Sequence, residues 1–136
     1  MAVVEELIRL ESDGSISFGD YLALSKQKVP AFKVKDDTYY VKTFEEITRL
    51  EKNGKLLFEA VPGAAVHNFI TTDKGAKFSI EGIDDVQVTM ELEPETEYRV
   101  IVDDFNVGSV KSSLAGKIAF SVDTSGKIKE IKLEKM

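Results

Sequence analysis

Apolar and polar residues alternate along most of this chain, and Gly, Asn or Asp interrupts the alternation at short intervals. Period-two patterning with frequent turn residues predicts β-strands joined by tight turns. Val86, Val88, Met90 and Leu92 form the cleanest alternating face; Tyr98, Val100 and Val102 form a second, and Ile118, Phe120 and Val122 a third. Strands are expected around 65–71, 76–81, 86–92, 97–103, 107–112, 117–122 and 127–133. Ile128 is out of phase with Ile131 and Leu133, which predicts a bulge or a late start in the last of these. Its lysines (Lys127, Lys129, Lys132, Lys135) suggest an edge strand guarded by charge.

The first half contains a repeat. EELIRLESDGSISFGD, from Glu5, is echoed forty residues later by EEITRLEKNGKLLFEA, from Glu45. Glu5, Glu6, Arg9, Leu10, Glu11, Gly14 and Phe18 recur as Glu45, Glu46, Arg49, Leu50, Glu51, Gly54 and Phe58. Each copy reads as a β-hairpin. In the first, a three-residue loop over Ser12-Asp13-Gly14 sets Leu10 opposite Ile16 and Ile8 opposite Phe18. That register predicts a left-handed Gly14 closing a G1 bulge. The same register in the second copy pairs Leu50 with Leu56 and Glu51 with Lys55, around Gly54. A helical alternative stays open over 44–52, because Thr43-Phe44-Glu45-Glu46 fits a capping box and Phe44, Ile47 and Leu50 fall at helical spacing. VVEELIRL at the start carries the same ambiguity. Between the copies, AFKVKDDTYYVKT reads as a third hairpin turning at Asp36-Asp37, with Pro30 at a strand start or edge.

The expected class is all-β: a hairpin-repeat part over 1–62 and an immunoglobulin-like sandwich over 63–136, divided at Val61-Pro62-Gly63. Composition agrees with a globular chain, 136 residues of which 43% are hydrophobic and 31% charged. Two separate halves of roughly 65 residues would each be marginally stable, so the halves should pack together or be completed by a second copy. The net charge of −6 disfavours nucleic acid and anionic membrane surfaces as partners. With no cysteine, disulfides, thiolate chemistry and cysteine-bound metals are excluded. Neither a signal peptide nor a membrane-spanning run is legible, so a cytoplasmic location is the default expectation, with signal-free export left open.

Chemistry-bearing residues are few. His67 is the only histidine, so a histidine metal site is excluded, and a Ser-His-Asp mechanism would need His67 beside an activated serine. Asp84-Asp85 and Asp103-Asp104 read as turn residues. Asp103, Asp104 and Asn106 offer oxygen ligands for calcium, but no EF-hand loop surrounds them. Tyr21, Tyr39 and Tyr40 could stack on sugar rings; as neighbours on a strand, Tyr39 and Tyr40 would face opposite sides. No phosphate-binding glycine loop occurs. No cofactor and no metal are expected.

Two resemblances bear on function. Leu92-x-Pro94-x-Thr96-x-Tyr98-x-Val100 resembles the approach to the sixth strand of fibronectin type III and related immunoglobulin-like sandwiches. That likeness implies a tyrosine corner, with the Tyr98 hydroxyl bonding back to the backbone near Pro94. Three strands follow Tyr98 here where that fold has one. The run from Val102 to Leu133 looks more like small sandwich modules appended to bacterial carbohydrate-active enzymes. MAVVEELIRLESDGSISFGDY, TFEEITRLEKNG and EAVPGAAVHNF are together similar to short bacterial proteins that carry the label endosialidase. The label implies sialidase chemistry, which needs an arginine triad, yet the chain has only Arg9, Arg49 and Arg99, two of them repeat-equivalent. The expectation is therefore a non-catalytic structural or interaction module, forming a homo-oligomer or binding a protein partner. The alternatives are a carbohydrate-binding module and, behind it, a glycan-active enzyme.

Overall fold

A computed structural model describes residues 3–125 and 127–136, which form thirteen strands in two antiparallel sheets. Among the described residues there is no helix, and so none long and apolar enough to cross a membrane. The strands are β1 (Ile8–Leu10), β2 (Ile16–Phe18), β3 (Gln27–Val34), β4 (Asp37–Phe44), β5 (Ile47–Lys52), β6 (Lys55–Val61) and β7 (Ala65–Thr72). They continue as β8 (Gly75–Glu81), β9 (Asp85–Glu91), β10 (Glu97–Val102), β11 (Phe105–Lys111), β12 (Lys117–Asp123) and β13 (Lys129–Lys135). One sheet runs β1-β2-β7-β8-β13-β10-β11 and the other β12-β9-β6-β5-β4-β3.

Both sheets mix strands from either side of residue 62. β2 pairs with β7, and β6 pairs with β9. Residues 63–136 place five strands in the first sheet and two in the second, which β3 to β6 complete. Pro62 therefore lies in a link between sheets and does not divide two cores. The reason is burial: one continuous apolar cluster takes Phe18, Leu50 and Phe58 from the first half and Phe69, Phe78, Met90 and Leu133 from the second.

The repeat becomes a feature of that core. Its first copy forms β1-β2 and its second β5-β6, one in each sheet. The equivalent residues Phe18 and Phe58, both fully buried, meet edge to face with ring centroids 5.4 Å apart. Phe69 and Phe78 complete the aromatic group.

The first hairpin has the expected register, Ile8 opposite Phe18 and Leu10 opposite Ile16, with Gly14 at φ +90°. Asp13 holds this loop by accepting from the Ser15 amide and hydroxyl. The second copy is strand rather than helix, and its register differs from the expected one. Lys52 faces Lys55 across a two-residue turn, Asn53-Gly54, and a bulge then sets Leu50 opposite Phe58 instead of Leu56. Both turn residues have positive φ, as the short hairpin loop requires. The cause is tertiary. Asn53 Oδ1 accepts from the Thr38 amide and its Nδ2 donates to Asp37, so neighbouring β4 clamps the turn. β1 lies at a sheet edge, and the first copy has no such neighbour.

Two further expectations are corrected. The third hairpin turns at Lys35-Asp36, one residue early, with Val34 opposite Asp37. β13 is internal, paired with β8 on one side and β10 on the other, so its lysines do not guard an edge. It starts late, at Lys129, as the phase of Ile128 requires. Pro30 does lie on an edge strand, beside the bulge in β3.

Candidate functional site

The connections β2–β3, β4–β5, β6–β7, β8–β9, β10–β11 and β12–β13 gather at one end of the sandwich, because each begins or ends a strand running to that end. They carry Asp20, Glu45, Glu46, Asp84, Asp103 and Asp104, together with Lys26 and with Lys127, which lies 3.8 Å from Asp103. At the same end Asp85 of β9 faces Asp123 of β12 directly. Asp123 accepts from the Ser125 hydroxyl and amide, which together with Lys129 hold its carboxyl below the ordinary carboxylate range. Apolar residues stand exposed among these acids: Leu22, Leu24, Val61, Ile83 and Phe105.

A cleft of about 520 Å³ opens here, lined by Tyr21, Glu45, Glu46, Val61, Pro62, Gly63, Ile83 and Asp84. Backbone bonds tie its walls together. The Glu45 amide donates to Ala23 and the Gly63 amide to Glu45, at 2.9 and 3.0 Å. The Thr124 hydroxyl donates to the Asp84 carbonyl at 2.6 Å, holding the wall that presents Ile83. Gly63 is packed against the Phe44 carbonyl so closely that an added Cβ would lie 2.1 Å from its oxygen.

Tyr21 donates to a Glu81 carboxylate oxygen at 3.0 Å. Burial, followed by the bond to Glu81 and the nearby charges of Glu81 and Asp20, pushes its phenol up to about 12. The folded chain thus keeps this proton longer than the unfolded one, and stability falls as pH rises from the ordinary value of 10 towards about 12. In an ultraviolet titration, Tyr21→Phe is expected to remove one tyrosine transition from the most alkaline part of the curve. An unchanged curve would place the shifted phenol elsewhere.

The three tyrosines considered for sugar stacking are not brought together. Tyr39 is a core residue, Tyr40 faces the opposite side of β4, and Tyr21 lies in the β2–β3 link. Nor do the arginines converge. Arg9 and Arg99 lie in the same sheet five strands apart, about 24 Å at the usual strand spacing, and Arg49 belongs to the other sheet. Each is held by glutamate. Arg9 Nε donates to Glu11 and Arg49 Nε to Glu51, both at 2.9 Å, while Arg99 pairs with Glu134. The two repeat copies thus preserve one Arg–Glu contact as well as one phenylalanine.

His67 is buried in β7 opposite Ser79. A bulge follows it, and the nearby Ser17 hydroxyl is already engaged, donating to Glu11 and accepting from the Asn68 amide. Asp103 accepts from the Glu130 amide of β13 at 2.9 Å and lies 3.8 Å from Lys127, while Asn106 accepts from the nearby Gly108 amide, so both side chains are engaged in holding backbone. Among the described residues no group of three or more His, Cys, Asp or Glu is placed to hold a metal ion. Tyr98 is buried, and its hydroxyl accepts from the Glu93 amide at 3.2 Å, next to Pro94.

Comparison with protein-family models, with curated proteins and with solved structures finds no match to this chain. The cleft was missed in the sequence because its lining comes from four separate connections. Read singly, Val61-Pro62-Gly63 is a boundary, Asp84-Asp85 a turn and Glu45-Glu46 part of a hairpin strand or a helix cap, and the exposure of Val61 and Ile83 follows only from the way the strands are ordered.

Proposed function

We propose that this chain is a non-catalytic β-sandwich module that self-associates through the free edge of β11. The carrying observation is the contrast between the two sides of the sandwich. β1 and β3 lie together on one side, β11 and β12 on the other. On the first side β1 has three residues, and β3 carries Pro30, a bulge and lysines such as Lys28 and Lys33. These are the usual protections against edge-to-edge pairing. β11 runs for seven residues with no proline and no charge before Lys111, and Phe105 and Val107 are 74% and 62% exposed on it. Like β3 it carries a bulge, at Val107, so the contrast lies in its lack of proline and of any charge before Lys111. An open edge with apolar side chains is the form of surface that takes up a strand from another chain.

The immunoglobulin-like reading draws support from the Tyr98 bond to the Glu93 amide beside Pro94. Neither the dispersed tyrosines nor the separated arginines favour the carbohydrate-binding or enzymatic alternatives. Sedimentation velocity over a range of concentrations tests self-association. The wild-type chain is expected to sediment as a dimer or larger species, and Phe105→Lys with Val107→Lys to sediment as a folded monomer. A wild-type chain that stays monomeric at several hundred micromolar, on the order of the weakest specific contacts, overturns the proposal.

A further inference from the structure

We infer that the cleft at the acidic end is a docking site for a cationic polypeptide segment carrying an apolar side chain between its basic residues. Two observations converge on that occupant. Every charged residue lining the cleft is acidic: Glu45, Glu46 and Asp84. Its remaining surface includes Val61, Pro62 and Ile83, with Val61 48% and Ile83 66% exposed. A ligand that buries an apolar group against Val61 and Ile83 and brings positive charge to the rim satisfies both features. Nucleic acid and anionic lipid carry the wrong charge. The walls are bonded to each other through Ala23, Glu45 and Gly63, and the Ile83 turn through Thr124, so the cleft exists before any ligand arrives.

This site is at the end of the sandwich, whereas the proposed self-association uses the side edge, and the two readings stand or fall separately. The test is fluorescence anisotropy with a labelled peptide of alternating lysine and leucine, and a matched peptide of alternating glutamate and leucine. The cationic peptide is expected to bind and the acidic one not to bind. Glu45→Lys with Glu46→Lys, and separately Val61→Ser with Ile83→Ser, are each expected to weaken binding about tenfold or more. All four positions are exposed, and circular dichroism checks that both variants fold. Asp36→Lys with Asp73→Lys, the same charge change in exposed turns at the opposite end, is expected to leave affinity within about twofold. Equal weakening by that control would show general electrostatic attraction and overturn the site. So would an unchanged affinity in the Val61 and Ile83 variant, binding of the acidic peptide, or no binding of the cationic one. Loss of self-association in the Glu45 and Glu46 variant would make a second copy the occupant and overturn the assignment of the ligand.

Discussion

Phe58→Ala is expected to lower the free energy of unfolding by about 3–5 kcal/mol, the largest loss from any single core truncation in this chain. Phe58 is fully buried, and its ring meets Phe18, Phe69 and Phe78 at centroid distances of 5.4, 5.8 and 5.5 Å. Those partners belong to the opposite sheet, so the ring is a main tie between layers. Phe58 is on β6, paired with β5 and β9, and hydrogen-bonded strands on both sides limit how far the backbone can close a cavity. Denaturant unfolding followed by circular dichroism measures the loss. Phe105→Ala, at a residue 74% exposed, is the comparison and should change stability by no more than about 0.5 kcal/mol. Combining Phe58→Ala with Phe18→Ala should reveal a coupling of about 0.5–1.5 kcal/mol, the edge-to-face term. Strict additivity of the two would mean that the repeat-related rings do not interact.

Gly75→Ala should cost more than about 4 kcal/mol or prevent folding, whereas Gly14→Ala should cost about 1–2 kcal/mol. Both glycines have positive φ, +141° and +90°. Backbone conformation alone would make them similar. They differ in what surrounds them. A Cβ on Gly75 would lie 1.7 Å from the Leu133 carbonyl oxygen, and no flexible side chain can give way there, since β8 and β13 are paired at that point. A Cβ on Gly14 meets nothing within 4 Å. Gly54 is equally open and should behave as Gly14 does. Thermal unfolding of the three variants checks the order. Comparable losses at Gly14 and Gly75 would refute the role assigned to close backbone approach.

The glycines show how far the sequence could be read. Gly14 and Gly54 stood out because each follows an Asp or Asn between alternating apolar segments, a local signal of a tight turn. Gly75 carries no such mark of its importance. Its constraint comes from Leu133, 58 positions further along the chain. The second hairpin makes the same point at finer scale. Its turn was legible in Asn53-Gly54, but its register depended on Thr38 and Asp37, which hold Asn53 from a neighbouring strand. Where a strand lacks such a neighbour, as at β1, the local reading of register matches the fold.

By itself the sequence determined the all-β class, nearly all the strands, the forty-residue repeat and the conformation of Gly14, because these follow from side-chain alternation and turn chemistry within a few residues. Only the tertiary structure decided that the two halves share one core, that β13 is internal, that Phe18 meets Phe58, and that Val61, Ile83, Glu45, Glu46 and Asp84 line one cleft. Strand order accounts for the difference. A strand's alternation records which face is buried but not which strand lies beside it, and the cleft is made from connections that strand order alone brings to the same end.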